Sequence, residues 1–244
     1  MNRRELLLSL TAGALNAQAP AQAHDPQSYA ASVYIPKAQR YEDLQLLQDF
    51  MEEFAFVELV TTHPELRITH IPVLVDRSAG KYGTIHGHIS RQNDQMKAFD
   101  GKQKAVIVFR GPQGYISPTW YDTKLAVPTW NFAVVHASGL LNPVTKLVEL
   151  REFLARLIAK FEKYQSEKNQ GAGFDFAKLP NDYVEGLVQG IIGFQMPIEL
   201  LEGKFKLGQD RSAADRAGIL EHLPKARGER SLAEFTASFY RRPS

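Results

Sequence analysis

Residues 115–139, YISPTWYDTKLAVPTWNFAVVHASG, hold both tryptophans of a 244-residue chain, and each follows a Pro-Thr pair: Pro118-Thr119-Trp120 and Pro128-Thr129-Trp130. Residues 115–121 read as extended chain and 130–138 as a strand, because β-branched and aromatic residues bounded by Pro and Gly favour pleated structure. Between them, 122–127 reads as an exposed loop, since backbone leaving a strand must be hydrated or paired.

Working outward, strands are expected at 56–62, 68–75 and 84–89, joined by the turns His63-Pro64-Glu65 and DRSAGKYG. A fourth strand, 105–109, is entirely apolar and is expected to be buried on both faces. A helix over 41–54 follows from Leu44, Leu47, Phe50, Met51 and Phe54. A long amphipathic helix follows from Leu147, Leu150, Leu154, Leu157, Ile158 and Phe161. Shorter helices are expected at 93–99, 183–188 and 213–223, a late strand at 191–200, and an exposed loop at 166–173 (SEKNQGAG). Short turns between strands, with helices at the start and end, indicate α+β rather than alternating βαβ. The antiparallel run suits a small barrel. Its edges must close or be covered, and a dimer is one way to cover them.

Composition describes a globular chain, 44% hydrophobic and 23% charged. Its net charge of +2 supplies no strong basic field for nucleic acid. With no cysteine, disulfides, thiolate metal sites and cysteine nucleophiles are excluded. No GxGxxG follows a strand and no GxxxxGK[ST] occurs. Ser117 and Ser138 lack a G-x-S-x-G context, so hydrolysis by a serine triad has no support.

The first residues carry a different message. Arg3-Arg4 precede an apolar run over 6–15, followed by two small-x-small sites, Ala17-Gln18-Ala19 and Ala21-Gln22-Ala23. These are the parts of a twin-arginine export signal. The expected organisation is an export signal over 1–23, a linker over 24–32 and one folded domain over 33–244, with a periplasmic destination. A disordered extension on a cytoplasmic protein is the competing reading.

Several residues could carry chemistry. His86 and His88, two apart on a strand, share a face and could hold a metal, although no Asp or Glu stands at a telling distance. Ser90-Arg91-Gln92-Asn93 ends a strand where a short helix starts. Free amides, a serine hydroxyl and an arginine fork suit a phosphate there, and an ordinary helix cap suits the same residues. Thr69 and His70 are expected beside that turn. Trp120, Tyr121, Trp130 and Phe132 would fill a core or wall a planar ligand, with Thr129, Asn131 and His136 at its edge.

In order, VYIPK, THIP, GHISRQN, YISPTWY, VPTWNFAVVHASG and GIIGF resemble the PaiB-type family of FMN-binding regulators, over about residues 33–223. The resemblance implies a split β-barrel, similar to pyridoxamine phosphate oxidase, and a homodimer with FMN at the subunit interface. It implies that Thr69, His70, Ser90, Arg91 and Asn93 hold the FMN phosphate. Trp120, Tyr121, Trp130 and Asn131 would line the ring or the dimer seam. The chain departs from the family at Ser90, where Ala is common, and at Asn93-Asp94, where Asn-Pro is common. It also departs at KLGQDR (206–211), where Gly208 and Asp210 replace Ser and Asn. The favoured reading is an exported FMN protein with flavin-dependent redox activity on a small molecule and no membrane span. The alternatives are a cytoplasmic PaiB-like regulator without catalysis, and a haem-binding split barrel with His86, His88 or His136 as axial ligand. DNA is an unsuitable partner for an exported chain.

Overall fold

The computed structural model describes residues 31–169, 174–226 and 230–241. The expected export signal and most of the linker lie outside the described residues. Ten strands form two antiparallel sheets. One has six strands in the order β1 (Arg40–Tyr41), β10 (Leu200–Lys206), β7 (Thr129–Leu140), β6 (Lys104–Ile116), β2 (Phe56–Thr61), β3 (Arg67–Pro72). The other has four: β4 (Leu74–Asp76), β5 (Thr84–Ser90), β9 (Ile191–Pro197), β8 (Asn142–Val144).

The chain steps between the sheets at three corners. Val73 separates β3 from β4, Leu141 separates β7 from β8, and Ile198-Glu199 separates β9 from β10. Val73, Leu141 and Ile198 are all buried, so each corner turns about an apolar side chain held in the shared core. The result is an antiparallel barrel split into two sheets, the α+β architecture expected.

Inside it, Leu59, Ile107, Phe109, Phe194, Met196 and Phe205 are fully enclosed. Burial of each such side chain contributes about 1.5–3 kcal/mol. Helix α1 (Leu44–Glu53) packs onto this core through Leu46, Leu47, Phe50 and Met51, and the Asp43 carboxylate caps it by accepting from Leu46 N at 3.0 Å. Helices α2 (Leu147–Asn169) and α3 (Asn181–Gln189) build a satellite core from Leu150, Val184 and Val188. Helices α4 (Ala213–His222) and α5 (Arg230–Tyr240) pack on the main core through Ile219, Leu232 and Phe239.

Four expectations change. The segment read as 105–109 and the first two residues of 115–121 belong to one 13-residue strand, β6, whose register shifts between Arg110 and Gln113 around Gly111-Pro112, while Pro118–Trp120 form a 3-10 turn. That strand is not buried on both faces: Ala105, Ile107 and Phe109 enter the core, while Val106 and Val108 are half-buried on the opposite face. The late strand at 191–200 is two strands meeting at a corner. Residues 166–169, read as loop, continue α2, and α5 had no expected counterpart.

Candidate functional site

Thr69, Ser90, Arg91 and Asn93, four of the five expected phosphate residues, lie where β3 leaves the larger sheet and β5 ends. They come together because β3 runs through Val73 into β4, which pairs with β5, rather than because β3 and β5 are paired. Asn93 caps the 3-10 turn Asp94–Ala98: its Oδ1 accepts from Gln95 N at 2.9 Å while its Nδ2 donates to Thr69 Oγ1 at 2.9 Å. Thr69 Oγ1 donates in turn to Gln95 Oε1. Gln95 is completely buried. Its Nε2 lies 3.0 Å from Leu59 O, 3.1 Å from Thr61 Oγ1 and 3.2 Å from Arg67 O. One side chain thus ties β2, β3 and the turn together. Sequence reasoning missed Gln95, since nothing local distinguishes a buried glutamine from a solvated one.

Thr69, Ser90 and Asn93 face an open groove of about 540 Å³ that is also lined by His88, Gly186 and Leu187. Arg91 is clamped at its edge: its backbone N–H donates to Gly190 O at 2.9 Å and its Nε to Gln189 O at 3.1 Å. These carbonyls stand at the C-terminal end of α3, where helix acceptors lack internal partners. The two terminal guanidinium nitrogens form no hydrogen bond among the described residues.

The helix-cap bonds are made here. Ser90 Oγ accepts from Gln92 N at 3.2 Å, Ser90 O accepts from Asn93 N at 3.0 Å, and Asn93 O accepts from Met96 N at 3.0 Å. Those amides are consumed, so side chains rather than a helix start are what remain free to meet an anion. The free donors are the Ser90 hydroxyl and the Arg91 fork; His88 Nδ1 also has no partner but is buried, with its ring packed edge-on to Phe153. Burial pushes the His88 pKa down. This donor set fits a phosphate. The Asp94 carboxylate is answered by Lys97 at 2.8 Å and Arg67 at 3.7 Å, and the hydrogen bond from Lys97 holds its pKa down.

The other candidates are elsewhere. His70 lies on the opposite face of β3 from Thr69, with its Nε2 4.0 Å from Glu58 Oε1 and its ring stacked on Phe56 at 6.5 Å. That outer face of the six-stranded sheet also carries Trp130, 54% exposed, edge-on to Tyr115 at 6.3 Å. Asn131 points the other way, into the barrel, with its Nδ2 unpartnered. Thr69 aligns through Leu59 and Ile107 with Ala137. Trp130 is seven residues further along β7, about 23 Å at 3.3 Å per residue. Trp130 is therefore remote from the groove at Thr69.

The two Pro-Thr-Trp elements have different surroundings. Trp120 stacks on His222 of α4 at 6.1 Å, and a Cβ built on Gly218 would come within 1.9 Å of Trp120 O. Tyr121 lies beneath the Arg211 guanidinium at 4.6 Å. Residues 206–211 brace this region: Lys206 Nζ donates to Thr129 Oγ1 at 2.6 Å, and Gln209 Nε2 donates to Ala38 O at 3.0 Å and to Phe205 O. Gly208 supplies the positive φ of 77° that the turn needs.

Of the remaining histidines, His86 lines a cavity of about 120 Å³ beneath α2, beside Phe153 and Arg156. His136 Nδ1 is 2.8 Å from Ser32 Oγ, which donates at 2.7 Å to the buried Glu202 carboxylate. Among the described residues, no three His, Asp or Glu side chains are grouped to hold a metal, and no helix is long and apolar enough to cross a membrane.

A sequence model of the family described as "Putative FMN-binding domain" matches residues 33–200. The chain belongs to this family. It is 31% identical over 192 residues to the Protease synthase and sporulation protein PAI 2 of Bacillus subtilis, covering 78% of this chain and 89% of that protein. It is 29% identical over 238 residues to the uncharacterized protein AFUA_5G13800 of Aspergillus fumigatus, covering 79% and 91%. Among solved structures, the flavocytochrome Anf3 of Azotobacter vinelandii aligns with a TM-score of 0.49 at 11% identity, over 68% of this chain and 69% of that one. The PaiB-type resemblance thus holds, and FMN is the cofactor of this FMN-binding chain.

Proposed function

We propose that this protein is an exported, homodimeric flavoprotein in which FMN serves a redox reaction on a small molecule. The observation that carries the flavin site is the groove itself: Arg91 and Ser90 offer unused donors beside a Thr69–Asn93–Gln95 network that holds the groove wall rigid. Bound FMN supplies the electron transfer, and the protein's part is to bind, orient and shield it. Arg91 and Ser90 would grip the phosphate, and His88, kept neutral by burial, would present an uncharged edge to it.

A second copy is supported by the outer sheet face. Val60, Val106, Val108, Phe132 and Val134 are half-buried there, and Phe56, Ile68, Tyr115 and Trp130 are exposed. These side chains surround the Arg110–Glu58 ion pair and offer apolar surface that a second copy could cover. Export in a folded state agrees with a cofactor loaded before transport, and the Arg3-Arg4 pair supplies the address.

The test has two arms. Expression of the full chain in a bacterial host, followed by N-terminal sequencing, should find cleavage after Ala23 and flavin in the exported fraction; an intact, cytoplasmic chain would contradict export. Anaerobic addition of NADH or NADPH to the FMN-loaded protein should bleach the flavin band. A loaded protein unreduced by either nucleotide, or by a chemical reductant at mild potential, would contradict the redox role.

A further inference from the structure

A second roomy cleft shares no lining residue with the groove at Thr69, Ser90 and Asn93. It lies between α4, α5 and the start of α1, with a volume of about 660 Å³, within the usual range of small-molecule sites. One wall is a stripe of α4, Ala213, Arg216, Ala217 and Leu220, at the i, i+3, i+4, i+7 spacing of a single helix face. The opposite stripe, Asp215 and Ile219, is buried. The two alanines leave the α4 wall low and flat, so the cleft stays open along it.

Facing that stripe are rings: Tyr41, Phe239 and Tyr240. Tyr41 and Phe239 pack edge to face at 4.9 Å. The Tyr240 hydroxyl is already committed, donating to Leu207 O, so that residue offers its ring. Arg216 is suspended over this ring at 5.8 Å from its centroid. It makes no ion pair among the described residues. The single carboxylate on the lining, Asp43, is occupied as the α1 cap. A guanidinium in no salt bridge among the described residues, poised over an aromatic wall at the rim of a partly apolar cleft, is complementary to a flat apolar body bearing one anionic group. Carboxylate geometry matches the planar fork bidentately.

We propose that this cleft binds an aromatic carboxylate, with Arg216 pairing to the carboxylate and Tyr41, Tyr240 and Leu220 enclosing the ring. The site is separate from the flavin: Thr69, Ser90, Arg91 and Asn93 are absent from its lining.

Calorimetric titration with 2-naphthoate, on the full chain kept saturated with FMN, tests this. Binding is expected, at least about ten-fold tighter than that of the neutral analogue 2-naphthalenemethanol, the size expected of a charge-assisted contact. Arg216→Gln should abolish that preference. Ala217→Phe, which fills the cleft from an exposed helix position, should abolish binding of both compounds while leaving FMN affinity unchanged. The proposal is overturned if 2-naphthoate fails to bind or binds no better than the alcohol. It is equally overturned if Arg216→Gln or Ala217→Phe binds 2-naphthoate within two-fold of the parent, or if naphthoate binding is seen only before FMN is added.

Discussion

Asn93 Nδ2 reaches across 24 residues of chain to donate to Thr69 Oγ1 at 2.9 Å. This bond joins the turn that presents Ser90 and Arg91 to the strand that forms the other side of the groove. Behind it, Gln95 satisfies two backbone carbonyls and a threonine hydroxyl that have no water to turn to. Gln95→Ala leaves buried acceptors unmet at about 1–3 kcal/mol each, so a loss of about 3 kcal/mol in urea unfolding is expected. A loss below about 1 kcal/mol would show that water can take over the role. Gln95→Glu places a charge in the same cage and should be worse still.

Two glycines give a matched pair of stability tests. A Cβ at Gly218 would stand 1.9 Å from the Trp120 carbonyl oxygen, whereas one at Gly186 would meet nothing within 4 Å. Gly218→Ala must push α4 away from the Trp120 turn, costing about 1–3 kcal/mol as overpacking does and changing tryptophan fluorescence. Gly186→Ala, in the middle of α3, should stabilise by about 0.5–1 kcal/mol. Equal thermal midpoints for the two variants would refute the packing described for α4.

Stability should fall from about pH 7.5 to about pH 5.5. Burial lowers the pKa of His86, His88 and His136 in the fold, while in the unfolded chain each titrates near about 6.5. Below that value the unfolded state binds more protons than the native state, so protonation favours unfolding. The lowered aspartates Asp76, Asp94 and Asp215 act in the same sense, but only as pH drops through the carboxylate range. Urea midpoints measured on flavin-free protein should therefore decrease across the histidine window, with a smaller decrease in His88→Leu. A midpoint that holds steady or rises on acidification would contradict the buried, neutral placement of these rings.

The outer sheet face predicts its own outcome. Ile68 is 54% exposed opposite Val60, and Ile68→Glu sets a carboxylate in the surface offered to a second copy. Sedimentation equilibrium should show the parent as a dimer and the variant shifted towards monomer. A parent that sediments as a monomer at all concentrations would dispose of the dimer.

Much of the architecture was legible in the sequence, and the misreadings have identifiable causes. The helix carrying Leu150 and Leu157 and the strand carrying His86 and His88 declare themselves by period. β6 did not, because Gly111-Pro112 look like a stop signal and act instead as a bulge within a continuous strand. The corner at Ile198-Glu199 was hidden for the opposite reason: Pro197 stands before it, but an apolar residue, Ile198, makes the turn inside the core and the hydrophobic pattern runs on into Leu200. Of the residues named from motifs, Thr69, Ser90 and Asn93 line one groove, with Arg91 next to Ser90 in sequence. His70 could not be sorted from Thr69 without the strand's facing, and Gln95 could not be found at all. The two tryptophans share a Pro-Thr prefix, yet one is locked beneath Gly218 and the other stands exposed; only tertiary packing separates them.

The central claim is that Arg91 and Ser90 hold the phosphate of FMN. It is tested most directly by titrating FMN into the purified protein, following quenching of flavin fluorescence, for the parent, Arg91→Ala and Ser90→Ala. The parent should quench saturably, Arg91→Ala should bind at least about ten-fold more weakly through loss of a charged hydrogen-bond donor, and riboflavin, which lacks the phosphate, should bind all three alike. If Arg91→Ala binds FMN as tightly as the parent, or the parent takes riboflavin as readily as FMN, the phosphate is not in this groove.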